Sequence, residues 1–194
     1  MNQHQDEHYI NEVIQGNTKS FVILIDRYKH MVFTLAMKML DNREEAEEVA
    51  QDVFVKVYQV LSGFKKDSKF STWLYKITYN QSLDYLKKRG RNVRTSSIDT
   101  DKEYQWSTVE NVLDQLQRKE RIAIIKDAVN QLAMEDAVIV TLHYFEELSL
   151  KEISKVIGRN TNVIKVRLFR SRKRLAQLLL QSLEPEMIEG YGGK

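Results

Sequence analysis

The amino-acid sequence predicts an all-α protein of two small helical domains joined by a flexible linker, the second domain ending in a helix-turn-helix. The 194 residues include only 7 Gly and 1 Pro, so few positions interrupt helices. Apolar residues recur every three to four positions, the period of an amphipathic helix. A polar stretch without that period divides the chain. We therefore place domains at 1–93 and 113–183, the linker at 94–112 and a mobile tail at 184–194.

Charge and cysteine content exclude several classes of protein. The net charge is only +3, so a nucleic-acid partner would have to be recognised by local basic segments rather than by a global field. The chain has 0 Cys, which rules out disulfides and a cysteine-based zinc site. No apolar run reaches the roughly 20 residues that span a bilayer, and the N-terminus lacks the apolar stretch of a signal peptide. We expect a cytoplasmic protein with no membrane insertion.

Two helices are predicted first, over residues 6–15 and 19–40. Gly16 ends the first helix, and Asn17 or Thr18 caps the second, because these short polar side chains can accept from unpaired N–H groups of a first turn. The apolar period along the second helix predicts a broad buried stripe.

The third predicted helix, residues 43–61, opens with a dense acidic cluster. Carboxylates near a helix N-terminus complement its dipole, but this cluster continues beyond the first turn. Glu48, Gln51 and Asp52 share one face. Such a face could hold a divalent ion, dock a basic protein or simply be solvated. The cluster contains no histidine and is not accompanied by a glycine-rich phosphate loop, so a metallohydrolase is disfavoured. Docking and solvation both stay open.

A basic loop at 62–71 precedes a predicted helix at 72–89, which Ser71 can cap. Aromatic and basic side chains alternate through this segment. Aromatic rings stack on unpaired bases and cations follow phosphates, so the composition favours single-stranded or opened DNA. From the helical period we expect four side chains to face the core, namely Phe70, Trp73, Leu74 and Ile77. We expect Lys76 and Tyr79 to project from the opposite side.

The second domain is predicted to contain helices at 113–132, 134–145, 149–157 and 160–181. Ser149 and Glu152 have the spacing of a capping box, and Gly158 is placed to end the short third helix of this domain in a left-handed conformation. A short helix, a tight glycine turn and a basic helix are the order of a helix-turn-helix, whose second helix enters the DNA major groove. An ordinary helical hairpin is the alternative.

The last predicted helix, 160–181, carries many basic residues and no acidic residue. At 100° per residue, one side carries Ile164, Leu168, Ser171 and Leu175. The other side carries Asn162, Val166, Phe169, Arg170 and Lys173. A buried stripe opposite a basic face is typical of a helix that reads nucleic acid, although basic surface helices are common.

Three segments together resemble the bacterial sigma-70 family, in particular its small two-domain extracytoplasmic-function (ECF) class. REEAEEVAQDVFVKVYQ at 43–59 resembles the segment that grips the clamp helices of the polymerase's largest subunit. KFSTWLYKITYNQSLDYLKKRGR at 69–91 resembles the segment that melts and reads the −10 element. LHYFEELSLKEISKVIGRNTNVIKVRLFRSRKRL at 142–175 resembles the helix-turn-helix that reads the −35 element. The three occur in the family's order.

The resemblance implies a sigma factor that binds core RNA polymerase at its clamp helices and its flap. It implies promoter DNA that is double-stranded at −35 and melted at −10, read by helix 160–181 and by residues 63–88 respectively. An anti-sigma factor is a further implied partner, and no catalytic residue, metal or cofactor is implied. One departure is Leu132-Ala133, where the family has Leu-Pro, which predicts a less rigid turn.

The resemblance also implies roles for particular residues. The polymerase-binding residues are Glu48, Gln51 and Asp52. The −10 contacts are Lys65, Lys66, Ser68, Lys69, Thr72, Trp73, Lys76, Tyr79 and Lys87, beside a pocket for a flipped base formed by residues 63–70. The −35 contacts are Thr161, Asn162, Val163, Lys165, Val166, Arg167, Arg170 and Lys173, with Arg167 and Lys173 on phosphates. The alternatives are a stand-alone repressor or activator, a metal-dependent nuclease, and a polymerase-binding or anti-sigma-binding scaffold that never touches DNA.

Overall fold

A computed structural model describes residues 3–90 and 118–182, and every regular element in those ranges is helical. The first range contains α1 (Gln3–Ile14), α2 (Thr18–Leu40), α3 (Arg43–Val60), a 3₁₀ turn (Leu61–Gly63) and α4 (Phe70–Lys88). The second contains α5 (Arg118–Asn130), α6 (Met134–Tyr144), α7 (Leu150–Ile157) and α8 (Thr161–Ser182). The all-α prediction is confirmed. The predicted linker 94–112, the start of the predicted helix 113–132 and the tail 184–194 lie outside the described residues.

The described residues form two compact units. One consists of residues 3–90 together with 149–161, and the other of residues 118–148 together with 162–182. The division predicted from the sequence placed 149–161 in the second domain, whereas here this segment packs with the first. Within the described ranges, no helix has the length and apolar character needed to cross a bilayer.

The core of the first unit is built by the apolar stripes of α2, α3 and α4. In α2, Leu24, Tyr28 and Val32 are buried at helical spacing. The buried residues of α3 are Glu45, Ala46, Val49, Val53 and Val57. Each fully buried aliphatic side chain contributes about 1.5–3 kcal/mol relative to an exposed one, so these stripes fix the rotation of each helix. The acidic face of α3 consequently points away from the core.

Local capping sets where these helices begin. Asn17 and Asn42 cap α2 and α3, their side chains accepting from the backbone N–H groups of Lys19 and Glu45 respectively. The predicted cap by Ser71 is wrong. Helix α4 begins at Phe70, and Lys69 occupies the capping position without a side-chain hydrogen bond.

A buried carboxylate fastens α1 to α2. Asp6 pairs with the Arg27 guanidinium and accepts a hydrogen bond of 2.5 Å from the Tyr28 hydroxyl. Burial and the Asp6 carboxylate raise the pKa of Tyr28 well above its ordinary value. The hydroxyl therefore stays a donor throughout the physiological range, and the buried charge of Asp6 is compensated.

In the second unit, α6 is buried along most of its length, from Glu135 to Leu142. The predicted inward side of α8 is confirmed, since Ile164, Leu168, Ser171 and Leu175 are buried. Ala133, which precedes α6, has φ −58° and ψ 143°. That φ is the value that proline would impose, so the turn keeps this geometry without the proline expected there.

Candidate nucleic-acid and protein interfaces

The acidic face of α3 is presented to solvent as a continuous patch. Glu48, Gln51 and Asp52 are all exposed, while Val49 and Val53 on the opposite side are buried. Asn42 caps the helix and Glu45 lies in its first turn. The structure therefore brings the three predicted polymerase-binding residues together on one accessible surface, suited to a basic partner.

Two side chains at the C-terminal end of α4 form a short hydrogen-bond network with Glu48. The Tyr85 hydroxyl donates to Glu48 Oε2 at 3.1 Å, and Arg89 donates to the same hydroxyl at 3.1 Å. Arg89 also lies 3.8 Å from the Glu45 carboxylate. Burial and the Glu48 acceptor raise the pKa of Tyr85, so the hydroxyl remains protonated as the donor. The network links the acidic face of α3 to the C-terminal end of α4.

A groove beside this acidic face was not foreseen from the sequence. It lies between α2 and α3 and has a volume of about 440 Å³. Its lining is Ile25, Lys29, His30, Phe33, Arg43, Glu47, Ala50, Gln51 and Phe54. Phe33 and Phe54 are only half-buried, so the groove has aromatic side chains in its lining. Gln51 belongs to both the groove and the acidic face, so the two surfaces are continuous.

The loop before α4 forms a small pocket with an aromatic wall. The pocket has a volume of about 190 Å³ and is lined by Gly63, Phe64, Lys65, Asp67, Ser68 and Trp73. The Phe64 ring lies 5.1 Å from that of Trp73 and 5.7 Å from that of Phe70, between centroids. Such offset and edge-on ring contacts stabilise the loop by about 0.5–1.5 kcal/mol per pair beyond burial. The ring contacts thus hold the loop in a defined shape, with aromatic side chains at its wall and lysines at its edge.

The predicted −10 contacts divide into exposed and buried residues. The exposed group is Lys65, Lys66, Lys69, Lys76 and Lys87, and the half-buried pair is Ser68 and Trp73. Thr72 is 2 % exposed and Tyr79 is 4 % exposed. The prediction that Tyr79 projects outward is wrong. Helix α4 is packed along a second stripe, Thr72, Tyr75, Tyr79, Ser82 and Leu86, which a single inward arc did not anticipate.

The outward face of α8 carries most of the predicted −35 contacts. Its exposed residues are Asn162, Val163, Lys165, Val166 and Arg170, while Thr161 and Lys173 are intermediate. Phe169 is 58 % exposed at the centre of this face, and Lys173 Nζ lies 5.0 Å from its ring centroid. The sequence placed Phe169 on the outward face but not among the contacts. Its angular position next to Asn162 and near Lys173 is the sequence signal that could have identified it.

Arg167 occupies a different environment from the other basic residues of α8. Its Nε lies 2.9 Å from Asp136 and its terminal nitrogen 2.8 Å from Glu135, at the first turn of α6. Glu135 and Asp136 are 5 % and 3 % exposed. The guanidinium is therefore engaged in a buried ion-pair triad, and this geometry does not support its assignment to a DNA phosphate.

Both ends of α7 have the predicted capping chemistry. Ser149 and Glu152 form a reciprocal capping box, and Gly158 has φ 74°. A Cβ at Gly158 would meet no atom within 4 Å, so glycine is favoured by this backbone conformation and not by space. The Ser154 hydroxyl donates to the Arg159 carbonyl at 2.6 Å, which closes the turn before α8 begins.

Comparisons with known families match both parts of the chain. Residues 24–92 match the Sigma-70 region 2 family and residues 122–175 match the Sigma-70 region 4 family. The first match contains α3, the pocket and α4. The second contains the capping box, the glycine turn and the outward face of α8.

Curated relatives are similar over nearly the whole chain. The ECF RNA polymerase sigma factor SigW of Bacillus subtilis is 30% identical, over 88% of this chain and 94% of the relative. The RNA polymerase sigma-H factor of Pseudomonas aeruginosa is 29% identical, over 92% and 96% respectively. The ECF RNA polymerase sigma-E factor of Escherichia coli is 27% identical, over 87% and 91%.

Solved structures share the fold. CnrH, determined in complex with the cytosolic domain of CnrY, has a TM-score of 0.65 at 21% identity and covers 92% of this chain and 99% of that one. RpoE of Bartonella quintana, determined in complex with the anti-sigma factor NepR, has a TM-score of 0.61 at 20% identity and covers 84% and 98%. From the two region matches and the SigW likeness, the chain belongs to the ECF sigma factors of the sigma-70 family.

Proposed function

We propose that this chain is a sigma factor that binds core RNA polymerase and directs it to a specific set of promoters. The observation that carries the proposal is the presence, in the family's order, of an acidic face on α3, an aromatic pocket before α4 and a basic outward face on α8. The protein acts in the cytoplasm, without catalysis of its own, since its roles are docking, strand capture and duplex recognition.

Docking on polymerase is assigned to Glu48, Gln51 and Asp52, facing the clamp helices of the largest subunit. The patch is exposed and negatively charged, which steers a basic partner and sets the register of the complex. The region 4 segment is assigned to the polymerase flap. Because polymerase holds both segments, two individually weak DNA contacts act at high effective concentration.

Opening of the −10 element is assigned to residues 63–88. A flipped base costs a few kcal/mol to unstack, which ring contacts and hydrogen bonds to its exposed edge can offset. Trp73 offers a half-exposed ring inside the pocket, and Lys65 and Lys69 supply cations beside it. Thr72 is also assigned to this DNA-contacting set, although its hydroxyl can reach DNA only when the residue is exposed, because here it is 2 % exposed.

The stacking role of Trp73 predicts a defect in strand opening. We expect Trp73→Leu, which keeps apolar bulk against Phe64 and Phe70, to lose about 1–3 kcal/mol of open-complex stability. Permanganate reactivity of unpaired thymines in holoenzyme–promoter complexes measures this. Tyr144→Leu, an exposed aromatic on α6, serves as the control and should leave opening unchanged. Equal opening by Trp73→Leu and wild type would contradict the stacking role.

Recognition of the −35 element is assigned to the outward face of α8. Arg170 and Asn162 can donate to base edges in the major groove, and Val166 can contact a thymine methyl. Phe169 adds an apolar surface at the centre of this face, and Lys173 is assigned to phosphate.

Arg170 provides the sharpest test of this face. We expect Arg170→Ala to cost about 1–3 kcal/mol and to relax preference at one −35 position, because a base-edge contact specifies sequence. Competition binding of holoenzyme to promoters varied one position at a time gives both quantities. Lys126→Ala removes an exposed cation of α5 and should weaken binding little. A uniform loss at all positions would reassign Arg170 to phosphate.

Run-off transcription with core polymerase, followed by mapping of start sites, tests the proposed function as a whole. A sigma factor gives discrete transcripts that depend on the added chain. Gel shifts with and without polymerase identify the alternative, since a stand-alone repressor would bind duplex tightly alone. RpoE of Bartonella quintana, which shares the fold, was solved with an anti-sigma factor, which supports the further proposal that such a protein regulates this chain.

A further inference from the structure

The outward face of α8 carries an apolar strip, formed by Val163, Val166 and Phe169 at spacings of three residues. These side chains are 45 %, 49 % and 58 % exposed respectively. By the helical period, Val166 points away from the buried Ile164 and Leu168, and Val163 and Phe169 lie to either side of it. A cluster of exposed apolar side chains, unlike a single one, indicates a surface that contacts another molecule.

The charges around the apolar strip identify the molecule that fits it. Lys165 and Arg170 are exposed beside the strip, and Lys173 Nζ lies 5.0 Å from the centroid of the Phe169 ring. Residues 161–182 contain no acidic residue. A rim of cations without any carboxylate favours the phosphate backbone of duplex DNA over a protein surface of mixed charge. The occupant is therefore a DNA duplex, with the apolar strip facing the base edges.

The dimensions of the strip fit a short run of base pairs. The six residues from Val163 to Phe169 rise about 9 Å along the helix axis, which corresponds to about three base pairs. Val166 lies in the second turn of α8, in the N-terminal part of the helix, from which recognition helices contact base edges.

The hydrocarbon side chain of Val166 determines which base edge it can face. A donor or acceptor of a base that is pressed against valine loses its water and gains no partner, so such an edge is disfavoured. The one apolar group that the four bases present in the major groove is the C5-methyl group of thymine. Asn162 and Arg170, one turn before and after Val166, carry the hydrogen-bonding groups for the neighbouring bases.

We propose that the apolar strip selects the −35 element by its methyl groups, with a base methyl opposite Val166. This inference rests on the proposed function of α8 and names the chemical feature of the DNA that the helix reads. In unmodified DNA that feature is a thymine. A methyl group on C5 of cytosine occupies the same place in the major groove, so α8 also distinguishes methylated from unmethylated cytosine at this position.

Replacement of thymine by uracil tests the proposal, because it removes the methyl group and keeps every hydrogen-bonding group of the base. Holoenzyme is formed from the full-length chain and core polymerase, and a promoter is located by start-site mapping. Each thymine of its −35 element, on either strand, is then replaced singly by uracil in competition binding. We expect one position to weaken binding about fourfold, since a buried methyl group contributes about 0.8 kcal/mol.

Val166→Ser assigns that effect to one side chain. Val166 is half-exposed, and serine and valine have similar helix propensities, so α8 should be retained. The variant should bind the thymine and uracil promoters equally. Ile122→Ser replaces an aliphatic residue of α5 that is also exposed, and it should keep the full uracil penalty.

A cytosine at the same position provides a second measurement. We expect the wild-type holoenzyme to bind a duplex with 5-methylcytosine about two- to fourfold more tightly than one with cytosine, because the methyl group alone differs. The Val166→Ser holoenzyme should bind these two duplexes equally.

The proposal is overturned if no uracil in the −35 element weakens binding, if Val166→Ser keeps the uracil penalty, or if cytosine methylation leaves the affinity unchanged. Undiminished promoter binding by Val166→Ser also overturns it and would assign the apolar strip to a protein partner. A chain that directs no discrete transcript at the start-site mapping refutes the proposed function, and this inference with it. Discrete transcripts together with binding that is insensitive to uracil refute this inference alone.

Discussion

Arg167→Ala is expected to destabilise the second compact unit by about 3–5 kcal/mol, the usual cost of leaving buried carboxylates without their partner. Glu135 and Asp136 are both buried and both pair with the one guanidinium. Hydrogen exchange of the α6 and α8 amides in the full-length chain measures the free energy of local opening. The loss should appear in both helices, because the triad joins them.

Arg170→Ala is the matched control, since it removes the same side chain three positions along α8 from an exposed site. It should change opening of α8 by less than about 0.5 kcal/mol. If Arg167 served only a DNA phosphate, the opposite pattern would be seen. Stability would be unchanged, and promoter affinity and its salt dependence would fall together.

Asp52→Lys is expected to weaken binding of the chain to core polymerase by about 2–4 kcal/mol, roughly 30- to 1,000-fold, because it places like charge against a basic docking surface. Asp52 is exposed, so the fold should be preserved. Fluorescence anisotropy of a labelled chain titrated with core polymerase gives the affinity, and circular dichroism checks the helices.

Asp127→Lys reverses an exposed acid on α5 and controls for net charge. It should bind polymerase as the wild type does. Undiminished binding by Asp52→Lys at low and at physiological salt would remove α3 from the docking surface and leave its acidic cluster to solvation.

Local features were predictable from the sequence because neighbouring residues determine them. The Ser149–Glu152 capping box, the left-handed Gly158 and the buried stripe of α8 all follow from spacing along one helix or turn. The outward face of α8 followed for the same reason, and the acidic face of α3 was exposed as expected.

The features that the sequence did not indicate share a different cause, which is contact between residues distant in sequence. Tyr79 is buried because α4 packs along two stripes and not one. Arg167 is paired with carboxylates 31 and 32 positions earlier, which no helical period can indicate. The groove beside Gln51 and the position of α7 on α4 likewise depend on which elements meet. Periodicity specifies which face of a helix is apolar but not which element packs against that face.

The hydrogen bond between Tyr85 and Glu48 has a thermodynamic consequence. One carboxylate serves as a predicted docking group on α3 and as an acceptor for the last turn of α4. A polymerase group that takes the place of Tyr85 at Glu48 Oε2 breaks the link between that carboxylate and the Tyr85–Arg89 pair at the end of α4. If polymerase bound to α3 changes the affinity of α4 for DNA by some factor, DNA bound to α4 changes the affinity of α3 for polymerase by the same factor, because linked binding equilibria are reciprocal. The two ends of this unit then share one free-energy balance.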